Sequence, residues 1–430
     1  MSVTSETHQQ SPSKPGVAGR LASLRRSMER PLTSYYLLLG GATMLLAIGL
    51  MMVLSASSVY SFRMHDENSY HIFLKQLTWV AIGLPAAWLA SRMNRRLLRL
   101  LAWPSVLVAV VLLGLTQTSL GFEVNGNRNW LALGPLTLQP SEVAKLSIIL
   151  WSADVYAKKE KLLGNPWHAL IPVAPVVALI SLLVVVQRDL GTALVLFALL
   201  LGMLWVVGVP ARLFGIALSL VGVVAFYLAA SNPERRTRLT SFIDPFKDFQ
   251  GAGWQAGHGL LGMSSGGIFG KGLSASQQKW GSLPEAHTDF IFAVLGEELG
   301  LIGTLLVLSL FGAIAYAAIR LAISTTDPFV RYVTAGVTIW LMSQMIINVG
   351  MVLALLPVIG IPLPLVSYGG SALVPSLVAL GLLVGFARAE PEAAEVLRAR
   401  RGERRPGRRV PAKGAFPGAT SAGSARSRRQ

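Results

Sequence analysis

The residues best equipped for chemistry lie in the run Leu283-Pro284-Glu285-Ala286-His287-Thr288-Asp289-Phe290-Ile291-Phe292. A polar, acid-bearing approach leads there straight into an apolar helical stretch, which puts Asp289 where water gives way to membrane. An ionisable group at that depth is costly and marks function. Desolvation raises the pKa of such a carboxyl, so that it can serve as a base near neutral pH. A helix starting near His287 would align Phe292, Ala293, Gly296 and Glu297 on one stripe. Glu297 would then sit about 12 Å deeper, at 1.5 Å rise per residue. A later start would leave Thr288 and Asp289 as an ordinary helix cap, with the carboxylate complementing the helix dipole.

A second set is Gln139-Pro140-Ser141-Glu142-Val143-Ala144-Lys145. Pro140 suits a first helical turn, and Glu142 and Lys145 at i,i+3 share a face. Two readings stay open: the pair neutralises itself, or Lys145 meets an anionic ligand while Glu142 holds the lysine in place. A third set is cationic: Arg128, Arg188, Arg235, Arg236, Arg238, Lys247, Lys271 and Lys279. Guanidinium and ammonium groups near a lipid phosphate suit a pyrophosphate. Fourth, Pro357–Ser371 joins two apolar runs with a backbone that Pro and Gly make irregular, tolerated at membrane depth only where it lines a cavity or packs on protein. Ser367 and Tyr368 lie in it and allow close approach of a ligand; tight helix packing through the small residues is the competing reading.

Other chemistries are excluded. Gly266-Gly267-Ile268-Phe269-Gly270-Lys271-Gly272 has Ser265 where a phosphate loop needs Gly, and Gly272 where it needs Ser or Thr. No nucleotide or organic cofactor is expected. The absence of cysteine removes disulfides, thiol nucleophiles and thiolate metal sites. His65, His71, His168, His258 and His287 lack metal-ligand spacing. A hard divalent cation (Mg2+ or Mn2+) held by Asp289 with pyrophosphate oxygens is the remaining metal reading.

The elements that must position these groups are helical and membranous. Of the 430 residues, 53% are apolar and 14% charged, against about 25% charged in soluble domains. Pro31–Phe62, Leu100–Phe122, Leu190–Ala211 and Leu213–Pro233 carry no acid or base beyond their edges, and each covers the roughly 20 residues of a spanning helix; Tyr332–Ala387 covers two. The reading is an all-α polytopic membrane protein with about ten transmembrane helices and a large extracytoplasmic loop, residues 231–286, between helices 7 and 8. The first apolar run is too long for a cleaved signal peptide. Basic connections after every second span (Arg92 to Arg99, Lys158 to Lys161, Arg212, Arg320 to Arg331) place both termini in the cytoplasm. Residues 1–30 (net +3) and 388–430 (net +8) hold eleven of the seventeen excess charges. They read as tails without a fold, 1–30 and 389–430, that touch anionic lipid headgroups; no nucleic acid is expected. Glu142, Lys145 and Asp154, and the junction Gln187-Arg188-Asp189, read as ionisable groups at the outer membrane edge, sharing a polar cavity with Asp289. The ten glycines of the 231–286 loop, with Trp254 and Trp280 as anchors, suggest a cover over that cavity.

Asn125–Trp130, Gln139–Lys145, Gln187–Thr192, Asp244–Gln255, Ser265–Gly272, Pro284–Gly300 and Pro362–Ser371 occur in an order and spacing that resembles the SEDS family of cell-wall polymerases. The resemblance spans about Pro31–Arg388 and, through Leu54–Ser58 and the long tails, is nearer the division than the elongation branch; the Arg-rich tails are similar to actinobacterial members. It implies a peptidoglycan glycosyltransferase that polymerises lipid II onto a nascent glycan strand in the plasma membrane at the division septum. The implied partners are a class B penicillin-binding protein and other division proteins. Asp289 would be the essential acidic residue, acting as general base, with Glu142, Lys145, Arg128, Lys271, Asp189 and Ser367 around substrate and pyrophosphate. One departure is visible: the family usually has Pro before the junction Asp, and here it is Arg188. A lipid II flippase and a non-catalytic division scaffold are the rival functions.

Overall fold

The computed structural model describes residues 30–400 apart from 125, 135, 231–243 and 252. Residues 1–29 and 401–430 of the expected tails, and Arg235, Arg236 and Arg238, lie outside the described residues. In chain order the helices are α1 (Thr33–Met64), α2 (His71–Arg92), α3 (Arg95–Leu115), α4 (Pro140–Lys158), α5 (Pro166–Leu170), α6 (Val173–Val186), α7 (Leu190–Val207), α8 (Ala211–Ala230), α9 (Trp254–Ser265), α10 (Ile291–Ser324), α11 (Pro328–Val352), α12 (Gly370–Ala389) and α13 (Pro391–Arg400). Between α3 and α4 come strands β1 (Gly121–Val124), β2 (Asn127–Leu133) and β3 (Leu136–Leu138).

Eight segments are long and apolar enough to cross a membrane: α1, α2, α3, α5 together with α6, α7, α10, α11 and α12. The chain is a multi-pass membrane protein. Two further helices reach spanning length. The 20-residue α8 has Arg212 as its sole charge. The 19-residue α4 carries Glu142, Lys145, Asp154 and Lys158, and its low hydropathy has a physical reason. It lies inside the bundle against α3 and α11, with Trp151 and Tyr156 fully buried. A helix surrounded by protein rather than lipid can carry charge, provided each charge is paired. Asp154 is not at the same end as Glu142. It accepts Arg99 Nε at 2.7 Å and pairs in charge with Lys158 Nζ at 2.6 Å near the opposite end of α4, which corrects the expectation of one shared edge.

Two other expectations change. The connection from α3 to α4 is a three-stranded antiparallel sheet in the order β1-β2-β3, with Phe122 opposite Trp130 and Leu131 opposite Leu138. The helical membrane fold carries this small sheet in the connection expected to be a loop. Gly126, at φ +82°, makes the tight β1–β2 turn that a residue without a side chain takes most readily. The stretch from 389 begins with a helix, because Pro-Glu-Ala-Ala-Glu supplies a first-turn proline, an early acid and strong helix formers.

The most consequential local feature is a break in α10. At Gly300 the backbone takes φ +68°, ψ −164°, a region essentially reserved for glycine. The carbonyls of Glu297 and Glu298 then accept the N–H groups of Lys271 (2.9 Å) and Gly272 (3.0 Å). Beyond the break, the N–H groups of Leu301 and Ile302 donate to the carbonyls of Gly267 (2.9 Å) and Ile268 (3.2 Å). The glycine-rich segment is thus spliced into the helix, and its role is to satisfy backbone rather than phosphate. A Cβ on Gly300 would stand 2.3 Å from Gly270 N and 2.5 Å from Ile268 O. Gly300→Ala is expected to destabilise the protein by more than about 3 kcal/mol, since both backbone strain and a main-chain clash are imposed. Thermal melting in detergent, with limited proteolysis of residues 266–280, reads the effect; an unchanged melt would remove the splice as a structural keystone.

Candidate active site

Asp289 sits in a turn just before α10, which begins at Ile291 after Phe290, with no side-chain cap. It is therefore not a cap. Thr288 turns back, its hydroxyl donating to Glu285 Oε2 at 2.6 Å. Nor does Glu297 continue a stripe into the membrane. Its carboxylate accepts Ser276 Oγ (2.6 Å), Lys271 Nζ (2.9 Å), Gln277 N (3.0 Å), Ser265 Oγ (3.3 Å) and Gln278 N (3.3 Å). Glu298 beside it accepts Ser55 Oγ at 2.6 Å and Lys279 Nζ at 3.3 Å, which ties the same segment to α1.

The Asp289 turn is held from two directions. Asn348 of α11, fully buried, donates from Nδ2 to the carbonyls of both Asp289 (2.8 Å) and Ile361 (2.7 Å). Tyr368 N donates to the carbonyl of His287 at 3.0 Å. Both contacts clamp the turn to the irregular 353–369 connection. Gly360 there has φ +70°, and a Cβ on it would lie 3.3 Å from Asp289 Oδ2. The carboxyl is thus packed against bare backbone. Burial, then the negative charges of Glu285 and Asp189, push its pKa up to about 7. His287 moves the other way: burial lowers its pKa, opposed by Glu285, so the imidazole is neutral at pH 7.

Asp189 is within electrostatic reach of Asp289, but its own oxygens are occupied. It accepts Thr192 N (2.9 Å) and Thr192 Oγ1 (2.8 Å) as the cap of α7, Gln139 Nε2 (3.0 Å) ahead of α4, and Asn129 Nδ2 (3.1 Å) from β2. It joins three chain segments. Arg188 before it takes φ +65°, a conformation that a proline ring forbids, so the Pro expected from the resemblance could not stand here on this backbone.

Glu142 and Lys145 form a closed buried pair, Nζ to Oε1 at 2.7 Å, with Lys145 Nζ 5.4 Å from the centre of the Trp340 ring. Glu142 Oε2 has no hydrogen-bond partner among the described residues. Arg128 braces the sheet, donating to the carbonyls of Thr118 (2.8 Å) and Gly121 (3.3 Å). Lys271 is engaged by Glu297 with its side chain 30% exposed. The Ser367 hydroxyl accepts Leu363 N at 2.8 Å and so shapes the connection. The structure therefore places Glu285 and Asp189 within electrostatic reach of Asp289, and gives Arg128, Lys271 and Ser367 protein partners. Sequence reasoning missed Asn348; its signal was a lone amide within the apolar run Met345-Ile346-Ile347-Asn348-Val349. Among the described residues, no three His, Asp or Glu side chains converge as a metal cage.

Removing one partner of a buried ion pair leaves an uncompensated charge and costs more than replacing both. Lys145→Met is expected to destabilise by about 3–5 kcal/mol, and Glu142→Gln/Lys145→Met by less. Chemical unfolding of the two single variants and the double variant checks this; additive losses would mean the pair is not closed.

A many-helix membrane fold with an acidic turn wedged at one end of the bundle defines the class, and comparison with known proteins places it within that class. Residues 36–392 match the family model of FtsW, RodA and SpoVE, described as cell cycle protein. The chain is 40% identical over 393 residues to the probable peptidoglycan glycosyltransferase FtsW of Mycobacterium tuberculosis, covering 91% of this chain and 75% of that one. Among solved structures it is similar to a chain of a peptidoglycan synthase complex that coordinates polymerization and crosslinking (TM-score 0.66, 28% identity, 82% of this chain and 96% of that chain). It is also similar to the rod shape determining protein RodA of Thermus thermophilus (TM-score 0.59, 30% identity, 82% and 96%). The chain belongs to the SEDS family, and within it to the FtsW-type peptidoglycan glycosyltransferases.

Proposed function

We propose that this protein polymerises lipid II into glycan strands during septal wall synthesis, with Asp289 as general base. The observation that carries the assignment is the placement of the Asp289 carboxyl against the Gly360 backbone, on a turn whose carbonyls are held by the Asn348 side chain and by Tyr368 N; burial there pushes its pKa up to about 7. A base poised near working pH is the most effective. In the reaction, the acceptor sugar's 4-hydroxyl oxygen attacks the donor's anomeric carbon as its proton passes to Asp289. The anomeric carbon–oxygen bond breaks, and undecaprenyl pyrophosphate leaves with the electron pair. Residues around the leaving group are proposed to be Lys145, Arg128 and Lys271, each released from its present partner on binding, with Glu142, Asp189 and Ser367 holding the walls. With no protein cage for a metal among the described residues, a divalent cation would arrive on the pyrophosphate, and no step is assigned to it.

The basic connections on the other face support cytoplasmic termini and an extracytoplasmic site. A class B penicillin-binding protein is the proposed crosslinking partner, anionic lipid headgroups the proposed contact of the tails. A flippase would want its acids along a path through the midplane; here Asp289, Glu285 and Asp189 cluster at one end, which favours the enzyme.

Asp289→Asn is expected to abolish glycan synthesis from lipid II in proteoliposomes. In the wild type the rate should rise from about pH 6 to about pH 8, as the carboxyl deprotonates. The stability sign is opposite. A carboxyl whose folded pKa is raised favours the fold in its protonated form, and that contribution is lost as pH climbs through about 7. The Asn variant should thus melt no lower than wild type at pH 8. Near-normal polymerisation by the variant, assayed with and without the transpeptidase, would sink the assignment.

A further inference from the structure

Beside Asp289 lies a group that the chemistry above does not use. His287 is buried, 9% exposed, yet neither of its ring nitrogens hydrogen-bonds to a described residue. Neither nitrogen is among the fully enclosed unpartnered atoms of the described residues, so the ring is not sealed off from a ligand. The ring is fixed between two others: Tyr60, at the end of α1, has its centroid 5.1 Å away, and Tyr368 5.6 Å away on the far connection. Its carbonyl is fixed as well, by Tyr368 N. The imidazole is thus flanked by two rings and stands two residues from Asp289, with its hydrogen-bonding capacity unused. Tyr60 is 46% exposed, so one end of the three-ring stack is open. The charged neighbour is Glu285, whose carboxylate is taken up by Thr288.

Resting on the reading of Asp289 as the base, we infer that Tyr60, His287 and Tyr368 form a saccharide subsite, in which the imidazole hydrogen-bonds a sugar hydroxyl and Tyr60 offers its face to a pyranose ring. The ligand class is a neutral hexopyranose of the glycan, not the pyrophosphate, because the charged neighbour of the ring is the Glu285 carboxylate, which disfavours an anion. A sugar combines an apolar C–H face with directional hydroxyls, matching an open aromatic face next to a fixed donor and acceptor. Tyr368 acts as a positioning residue that locks the imidazole's rotation.

The test reads binding apart from turnover. Affinity for a lipid-free N-acetylglucosamine–N-acetylmuramic acid oligosaccharide is measured on the full chain in detergent. His287→Phe keeps the stack and removes the hydrogen bond; about a tenfold loss of affinity is expected, the scale of one such bond, with KM for lipid II raised by a similar factor. Tyr60→Leu, at an exposed position where folding is not at stake, should weaken oligosaccharide binding about fivefold or more, the worth of an aromatic face. Unchanged affinity in a folded His287→Phe, or in Tyr60→Leu, overturns the subsite and leaves Tyr60 as a membrane-interface residue. Measuring the same variants in an Asp289→Asn background separates the readings. If Asp289→Asn still polymerises, the base assignment fails, while the binding difference still decides the subsite.

Discussion

Backbone polar groups at membrane depth must find partners within the protein, and the break of α10 at Gly300 is where that constraint acts most widely. Interrupting a helix there frees carbonyls on one side and N–H groups on the other, and a single glycine-rich strand of chain takes up both. Once spliced, that strand brings Lys271 and the Ser276–Gln278 segment onto Glu297, and Lys279 onto Glu298. Glu298 in turn reaches Ser55 of α1. The short helical stretch Ile291–Leu299 ahead of the break is thereby fixed between α9 and α1, and the turn carrying Asp289 is fixed with it. The two acids that follow Asp289 in sequence are the fasteners of its platform.

Much of this is legible in the sequence. The spans follow from charge-free runs whose length is set by the bilayer. The prominence of Asp289 follows from an acid at the lip of one of those runs. The α4 motif is also readable as a pair, because i,i+3 spacing alone brings Glu142 to Lys145. What the sequence does not say is which spans face lipid and which face protein. That choice decides why α4 can carry four charges, and it depends on packing against α3 and α11, which no local pattern encodes.

The differences between expectation and structure share a cause. Asn125-Gly126 between alternating residues is a hairpin signal, but a chain dominated by apolar helices obscures so short a pattern. Periodicity alone suggests a helix start near His287, whereas the chain forms a turn over Glu285–Phe290 that Asn348 and Tyr368, both far away in sequence, tie to the rest of the fold. Long-range donors of this kind leave no mark in the segment they hold. The glycine-rich segment has the look of an anion cradle, and its actual partner is a broken helix more than twenty residues downstream.

Arg188 shows how a local departure becomes permanent. At φ +65° it occupies backbone space closed to the proline that its family usually carries. The residue after it, Asp189, depends on that turn to reach Asn129, Gln139 and Thr192 together. Placing proline at 188 would demand a different path for the chain through the whole junction. Position 188 is therefore a poor place for the proline substitutions that often stiffen a loop, and a redesign of this junction should leave it alone.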